Sequence, residues 1–292
     1  MNTKYLFAML MIAVFLIGFK VSIADTATGQ ATIGNTAPSV GTVTLYNQAS
    51  ADAEITLSAG TTVSVFCNAS LTDVNGYADI SAVTATLYHS TNVSADSDDE
   101  NSHYTNSSCS IGTNTSATEA PATCTFNLDY MSINGTWTCN MTADDGTATD
   151  PAIDTNTLAT LVGLDVTNST VNFGSLELGA NSTAATDTHI VNFGNIQMDA
   201  RFSGDDYTCN VSGTIPVGNT RYNLTTNSYD NMVGKDLTTG ATTQTDFDLG
   251  VRGLSTADGT NATKSEYWTI KIPASGVAGT CTNTITVAAI AG

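Results

Sequence analysis

Three groups of residues could do chemistry by type and spacing: asparagines in N-x-[ST] tripeptides, acidic side chains around Gly turns, and six cysteines. The N-x-[ST] acceptors are Asn68, Asn92, Asn106, Asn114, Asn134, Asn140, Asn168, Asn181, Asn210, Asn223 and Asn261, eleven in all, where composition alone gives about six. An asparagine in this setting accepts an N-linked glycan in an exported chain. Asn68, Asn140 and Asn210 each directly follow a cysteine, and on a strand a core-facing cysteine turns the next side chain toward solvent. The acidic group consists of Asp73, Asn75 and Asp79 around the Asn75-Gly76 turn, with Asp144 and Asp145 ahead of Gly146. Calcium takes about six to eight oxygen ligands, which two loops at one end of a sheet can gather, so calcium is the one cofactor these residues suggest. The same side chains can equally bond their own backbone to form turns without metal.

Catalytic spacings are missing. His89, His103 and His189 stand apart in the sequence, and there is no H-E-x-x-H, G-x-S-x-G or Walker A pattern. The expectation is a protein that is not an enzyme, with a hydrolase built from dispersed residues as the third and weakest reading. Lys plus Arg number only 8 against 27 Asp plus Glu, a formal charge of −19. Such a chain lacks the basic footprint that tracks phosphates, which excludes nucleic acid as a partner. Counting Ser with Thr gives 76 small hydroxyls in 292 residues, yet hydrophobic content is 41%, too high for a disordered stalk.

The elements that must position these groups read as strands. Residues 1–24 have the pattern of a cleaved signal peptide: Lys4, an apolar run from Tyr5 to Phe19, then Ser22-Ile23-Ala24. After cleavage the sequence offers no further apolar span, so no transmembrane segment is expected. Alternating runs at residues 40–46, 53–57, 62–69, 80–88, 122–128 and 135–142 form a first group of strands. A second group falls at 158–166, 170–173, 188–193, 196–202, 207–211, 221–224, 243–249, 267–272 and 281–288. Turn pairs such as Asn75-Gly76, Asn134-Gly135, Asp145-Gly146 and Asp258-Gly259 separate strands. The organisation expected is all-β: signal peptide 1–24, extended segment 25–39, a β-sandwich over 40–150, a linker over 151–160 and a second β-sandwich over 161–292. Charge supports the division, since residues 21–200 hold no Lys or Arg and 19 acids, while residues 201–292 hold six bases and eight acids.

An even number of cysteines behind an export signal favours disulfides. Six cysteines allow 15 connectivities. Cys67 and Cys139 lie in alternating runs 72 positions apart, with Trp137 two residues before the second, as in the inter-sheet bridge of an immunoglobulin-type sandwich. Cys109 and Cys124 flank a polar loop, which leaves Cys209 with Cys281; one bridge between the two modules stays open as the alternative.

The run Ala59 to Phe66, then Asp73-Val74-Asn75-Gly76, Ile80, Gly135-Thr136-Trp137-Thr138-Cys139 and Asp144-Asp145-Gly146 is similar to PKD-type Ig-like modules. With His103 to Cys109, Tyr267 to Pro273 and Gly279-Thr280-Cys281, the chain resembles secreted surface glycoproteins of small-genome archaea. The resemblance spans most of residues 40–288 and implies a pair of extracellular sandwiches without an activity. The expected function is a structural glycoprotein at the cell surface, an envelope component or fibre subunit whose partners are copies of itself or other surface proteins. An adhesin-like module that binds a partner or glycan through sandwich-end loops is the alternative. Residues 25–39 form a free tail that either stays disordered or adds as a strand to the open edge of a neighbouring copy, giving a filament.

Overall fold

The computed structural model describes residues 26–47, 53–183, 185–232, 235–253 and 262–292. The signal-peptide segment and Asn261 lie outside the described residues. Residues 26–35 are exposed and carry no strand. The compact body runs from Thr36 to Gly292. Among the described residues it contains strands and three 3-10 turns, and no helix is long and apolar enough to cross a membrane.

The first module is built on β3 (Thr62–Thr72) and β7 (Glu119–Asp129), antiparallel along their whole length from Thr62 opposite Asp129 to Thr72 opposite Glu119. Short strands β1 (Ser39–Val40) and β2 (Thr44–Tyr46) pair the other side of β3, and β6 (Ser110–Ile111) pairs β7. The opposing sheet has the order β5 (His103–Asn106), β4 (Ala82–His89), β8 (Gly135–Asp144), β9 (Thr149–Leu158). Alternate residues of each long strand point inward: Val65, Cys67, Ala69 and Leu71 on β3 meet Trp137, Cys139, Met141 and Ala143 on β8 in one core. This period of two is what the sequence alternation encodes, and each fully buried Val, Leu or Phe contributes roughly 1.5–3 kcal/mol.

Residues 151–160, expected as a linker, instead supply most of β9, which pairs β8 from Gly135 opposite Leu158 to Asp144 opposite Thr149. The reason is the composition of its inner face. Asp150, Asp154 and Asn156 occupy the inward positions, while Ile153 points out and is 63% exposed. Those polar groups serve backbone that no ladder reaches: Asp150 Oδ2 accepts the Val40 N–H at 2.9 Å, Asp154 Oδ2 accepts the Leu45 N–H at 2.8 Å, and Asn156 Nδ2 donates to the carbonyls of Leu45 and Ala53. Pro151 is tolerated because β9 is the sheet's terminal strand. The expected strand at 53–57 reduces to an isolated bridge between Ile55 and Leu158.

The second module packs a four-stranded sheet against a three-stranded one. The first has the order β10 (Leu164–Val166), β11 (Thr186–Asn192), β17 (Thr263–Ile270), β15 (Thr220–Asn223), and the second β16 (Thr242–Leu249), β12 (Met198–Gly204), β19 (Ile285–Ala291). Between them Phe202 touches Tyr222, Trp268 and Phe247 with ring centroids 4.9, 5.5 and 6.0 Å apart. A small third sheet, β14 (Thr214–Ile215), β13 (Tyr207–Cys209), β18 (Cys281–Thr282), has its own apolar cluster. Residues 170–173 are not a strand, and the expected strand at 158–166 divides between the end of β9 and β10.

The true junction is short. Asn195 grips it, with Oδ1 accepting the Leu161 N–H at 2.7 Å and Nδ2 donating to the Ala159 carbonyl at 3.1 Å. Beside it Tyr130, Met131 and Val251 are buried with Leu161 and Phe193, and Asn101 Nδ2 donates across to the Arg252 carbonyl.

Candidate metal centre

The sharpest gathering of chemical groups is at the end of the first module where β3 leaves for β4 and β8 turns into β9. Asp73 follows β3 directly. Its N–H donates to the Thr118 carbonyl at 2.8 Å, which fixes the residue against the loop before β7. Its Oδ1 accepts the Asn75 N–H at 2.8 Å, the side-chain turn expected of Asp-x-Asn-Gly. Asp79 closes the 3-10 turn Tyr77–Asp79 and is exposed. Asp145 sits in the β8–β9 turn, where its Oδ1 accepts the N–H groups of Thr147 and Ala148, both at 2.7 Å. That turn needs Gly146, whose φ of 85° lies in the region that side chains with a Cβ avoid.

One carboxylate oxygen from each of Asp73, Asp79 and Asp145 lies within 4.8 Å of the other two. Asp73 is 1% exposed, and its Oδ2 is enclosed with no hydrogen-bond partner. These three could hold a cation. Asp144 is not in the cluster. Asp144 Oδ1 accepts the Gly146 N–H at 2.6 Å, and its main-chain oxygen accepts from Ser81, because a strand-end residue next in sequence to Asp145 points to the other side. Asn75 turns its Oδ1 to the Thr36 N–H at 2.8 Å.

The cysteines pair as Cys67–Cys139, Cys109–Cys124 and Cys209–Cys281. Cys67–Cys139 joins the two sheets of the first core. Cys124 is the register partner of Cys67, so four cysteines share one region of that core. Cys209 and Cys281 face each other across neighbouring strands β13 and β18, within one small sheet.

The N-x-[ST] asparagines fall into two environments. Asn114, Asn168 and Asn210 are exposed. Asn68, Asn92, Asn106, Asn134, Asn140, Asn181 and Asn223 are half-buried. Asn68 and Asn140 do point away from the core, but the outer face is itself covered. Asn68 Nδ2 donates to the Tyr46 hydroxyl at 2.6 Å and Asn140 Nδ2 to Ser94 Oγ at 3.3 Å, and the Oδ1 of each is enclosed without a partner.

The histidines have separate surroundings. His103 is fully buried, with Nδ1 2.9 Å from Asp98. The Asp98 carboxyl is held below its usual range; desolvation opposes this, and the hydrogen bonds from Thr105 and His103 outweigh it. His89 lies edge-on to Trp137, and burial pushes its imidazole below the usual value. His189 pairs with Asp187 at 2.8 Å on the surface. The sequence run Asp98-Asp99-Glu100 thus partly organises its own loop, with Asp99 bonding Asn101 and Ser102.

No family model matches the chain, and no curated protein matches it. Among solved structures it is similar to the CsuC–CsuE chaperone–tip adhesion subunit pre-assembly complex of the archaic chaperone-usher Csu pili of Acinetobacter baumannii. The identity is 11% and the TM-score 0.36, over 81% of this chain and 96% of that one. It is also similar to the C-terminal domain of the Streptococcus agalactiae AgI/II polypeptide BspA, at 10% identity and a TM-score of 0.23, over 86% of this chain and 99% of that one.

Proposed function

We propose that the chain is an exported structural glycoprotein of an archaeal cell surface, an envelope component or fibre subunit that assembles with copies of itself. The observation that carries this reading is the placement of the disulfides: each joins strands or loops of one module, so each sandwich is a separately cross-linked body. Such bonds persist in oxidising surroundings outside the cytosol. Exposed asparagines in N-x-[ST] at Asn114, Asn168 and Asn210 suit a glycan coat, and a surface without bases across residues 21–200 suits a solvated, repulsive exterior. Residues 26–35, exposed and free of strand, supply a segment able to add to a neighbouring copy's sheet.

The test is the state of the chain in its own cells. The reading expects a surface-associated protein that begins after Ala24, carries glycan mass and takes up no thiol-alkylating reagent until reduced. A cytosolic chain with residues 1–24 retained and free thiols would overturn it.

A second reading, an adhesin-like binding module, is favoured by one feature. A groove of about 650 Å³ opens in the second module, lined by Phe173, Tyr207 and Ile215 together with the polar Glu177, Thr280 and Asn283. Grooves of this size accommodate small ligands. A partner or glycan captured by the monomer and lost on Phe173→Ser would favour binding over assembly.

A further inference from the structure

We infer that the loop end of the first module is a calcium site whose protein ligands are Asp73, Asp79 and Asp145. The inference holds whether or not the chain polymerises.

The geometry comes first. Oxygens bound to one calcium at about 2.3–2.6 Å lie at most about 5 Å apart, so three carboxylate oxygens within 4.8 Å of one another can share a single ion. Magnesium binds at about 2.0–2.1 Å, demands near-ideal octahedral geometry and keeps several of its waters, so a loose set of loop carboxylates suits calcium better. The donor set is oxygen only, with no histidine or cysteine in the cluster, which suits a hard cation over zinc.

The second observation is the state of Asp73. A carboxylate that is 1% exposed, with one oxygen bonded to the Asn75 N–H and the other enclosed and partnerless, is expensive unless something satisfies it. Two further carboxylates each bring an oxygen within 4.8 Å of one of its own, and the stretch of chain that carries all three, residues 21–200, contains no Lys or Arg. A divalent ion would supply the missing partner for Asp73 and relieve the mutual repulsion of all three. Main-chain carbonyls and water would complete the shell, as calcium's larger coordination number permits.

The site also has a structural consequence. Asp73 and Asp79 belong to the β3–β4 connection and Asp145 to the β8–β9 turn, so one ion would tie the two sheets at this end. Asn75, two residues from Asp73, accepts the Thr36 N–H, so the same loop fixes where the body begins.

The experiment is calcium titration of the mature chain, residues 25–292, by calorimetry after chelator treatment, with magnesium in parallel. One calcium per chain is expected, with affinity exceeding that for magnesium. The melting temperature should rise with calcium concentration by mass action. Asp79→Asn, at an exposed position, should weaken binding at least about tenfold, and Asp79→Asn with Asp145→Asn should abolish it while keeping the turn bonds that an Asn side chain can accept. If the double variant does not fold, the single variant decides. Absence of calcium binding at millimolar metal, or binding unchanged in Asp79→Asn, would overturn the inference.

Discussion

Asp154 on β9 accepts the N–H of Leu45 on β2 at 2.8 Å, so a side chain takes the place of a ladder bond between strands of opposing sheets. Leu45 is fully buried, and its N–H has no access to water. With Asp150 and Asn156 acting likewise, the inward side chains of β9 satisfy backbone groups of β1 and β2.

Asp154→Ala should therefore strand the Leu45 N–H and cost about 1–3 kcal/mol in urea unfolding. Asp154→Asn retains an acceptor and should cost less. Equal stability of the Ala variant and the parent would mean that the bond is dispensable.

Glu266 lies fully buried on β17, and neither carboxylate oxygen has a hydrogen-bond partner. Burial pushes its carboxyl from 4.5 up to about 8, with Lys235 pulling it down and Asp246 pushing it up. Between these values the folded chain holds a proton that the unfolded chain releases. Stability should thus fall as pH rises from about 4.5 to 8 and level off above that. Glu266→Gln should remove this slope and be the more stable form at pH 8, as read from denaturant midpoints at several pH values. A variant with the parent's slope would place the titration elsewhere.

Replacing Cys67 and Cys139 together by Ala opens a 72-residue separation and should cost about 4 kcal/mol in the chain-entropy model. Peptide mapping without reductant should recover three linked pairs, 67 with 139, 109 with 124 and 209 with 281. A linked Cys139 and Cys209 would contradict separately cross-linked modules.

Glycan occupancy should follow exposure of the asparagine amide. Mass spectrometry of glycopeptides should find Asn114, Asn168 and Asn210 modified, and Asn68 and Asn140 bare, because the first three are exposed while the other two are half-buried with their Oδ1 enclosed. The reverse distribution would show that modification precedes folding.

What the sequence makes legible follows from what its side chains do. β3, β4, β7 and β8 carry apolar residues at every second position, and the alternation places them closely. β9 escapes the same reasoning because its inward residues serve backbone groups, and Asp and Pro imitate a linker. Residues 170–173, Thr-Val-Asn-Phe, show the converse, an alternating stretch that lines a groove without pairing. At the acidic end, the Asp-Asn-Gly spacing points to the right loops, but only the fold separates Asp145, which joins Asp73 and Asp79, from its neighbour Asp144. Nor could sequence reveal that Tyr46 and Ser94 cover the asparagines beside Cys67 and Cys139.

The most direct test of a self-assembling surface protein is electron microscopy of the mature chain beside a chain starting at Thr36, at equal concentration. The cut spares the buried Pro38 and strand β1, so the body should stay folded. Ordered polymers from the mature chain, lost in the shortened one, are the predicted result. Both chains remaining monodisperse at every concentration would contradict assembly, and identical fibres from both would contradict the role of residues 25–35.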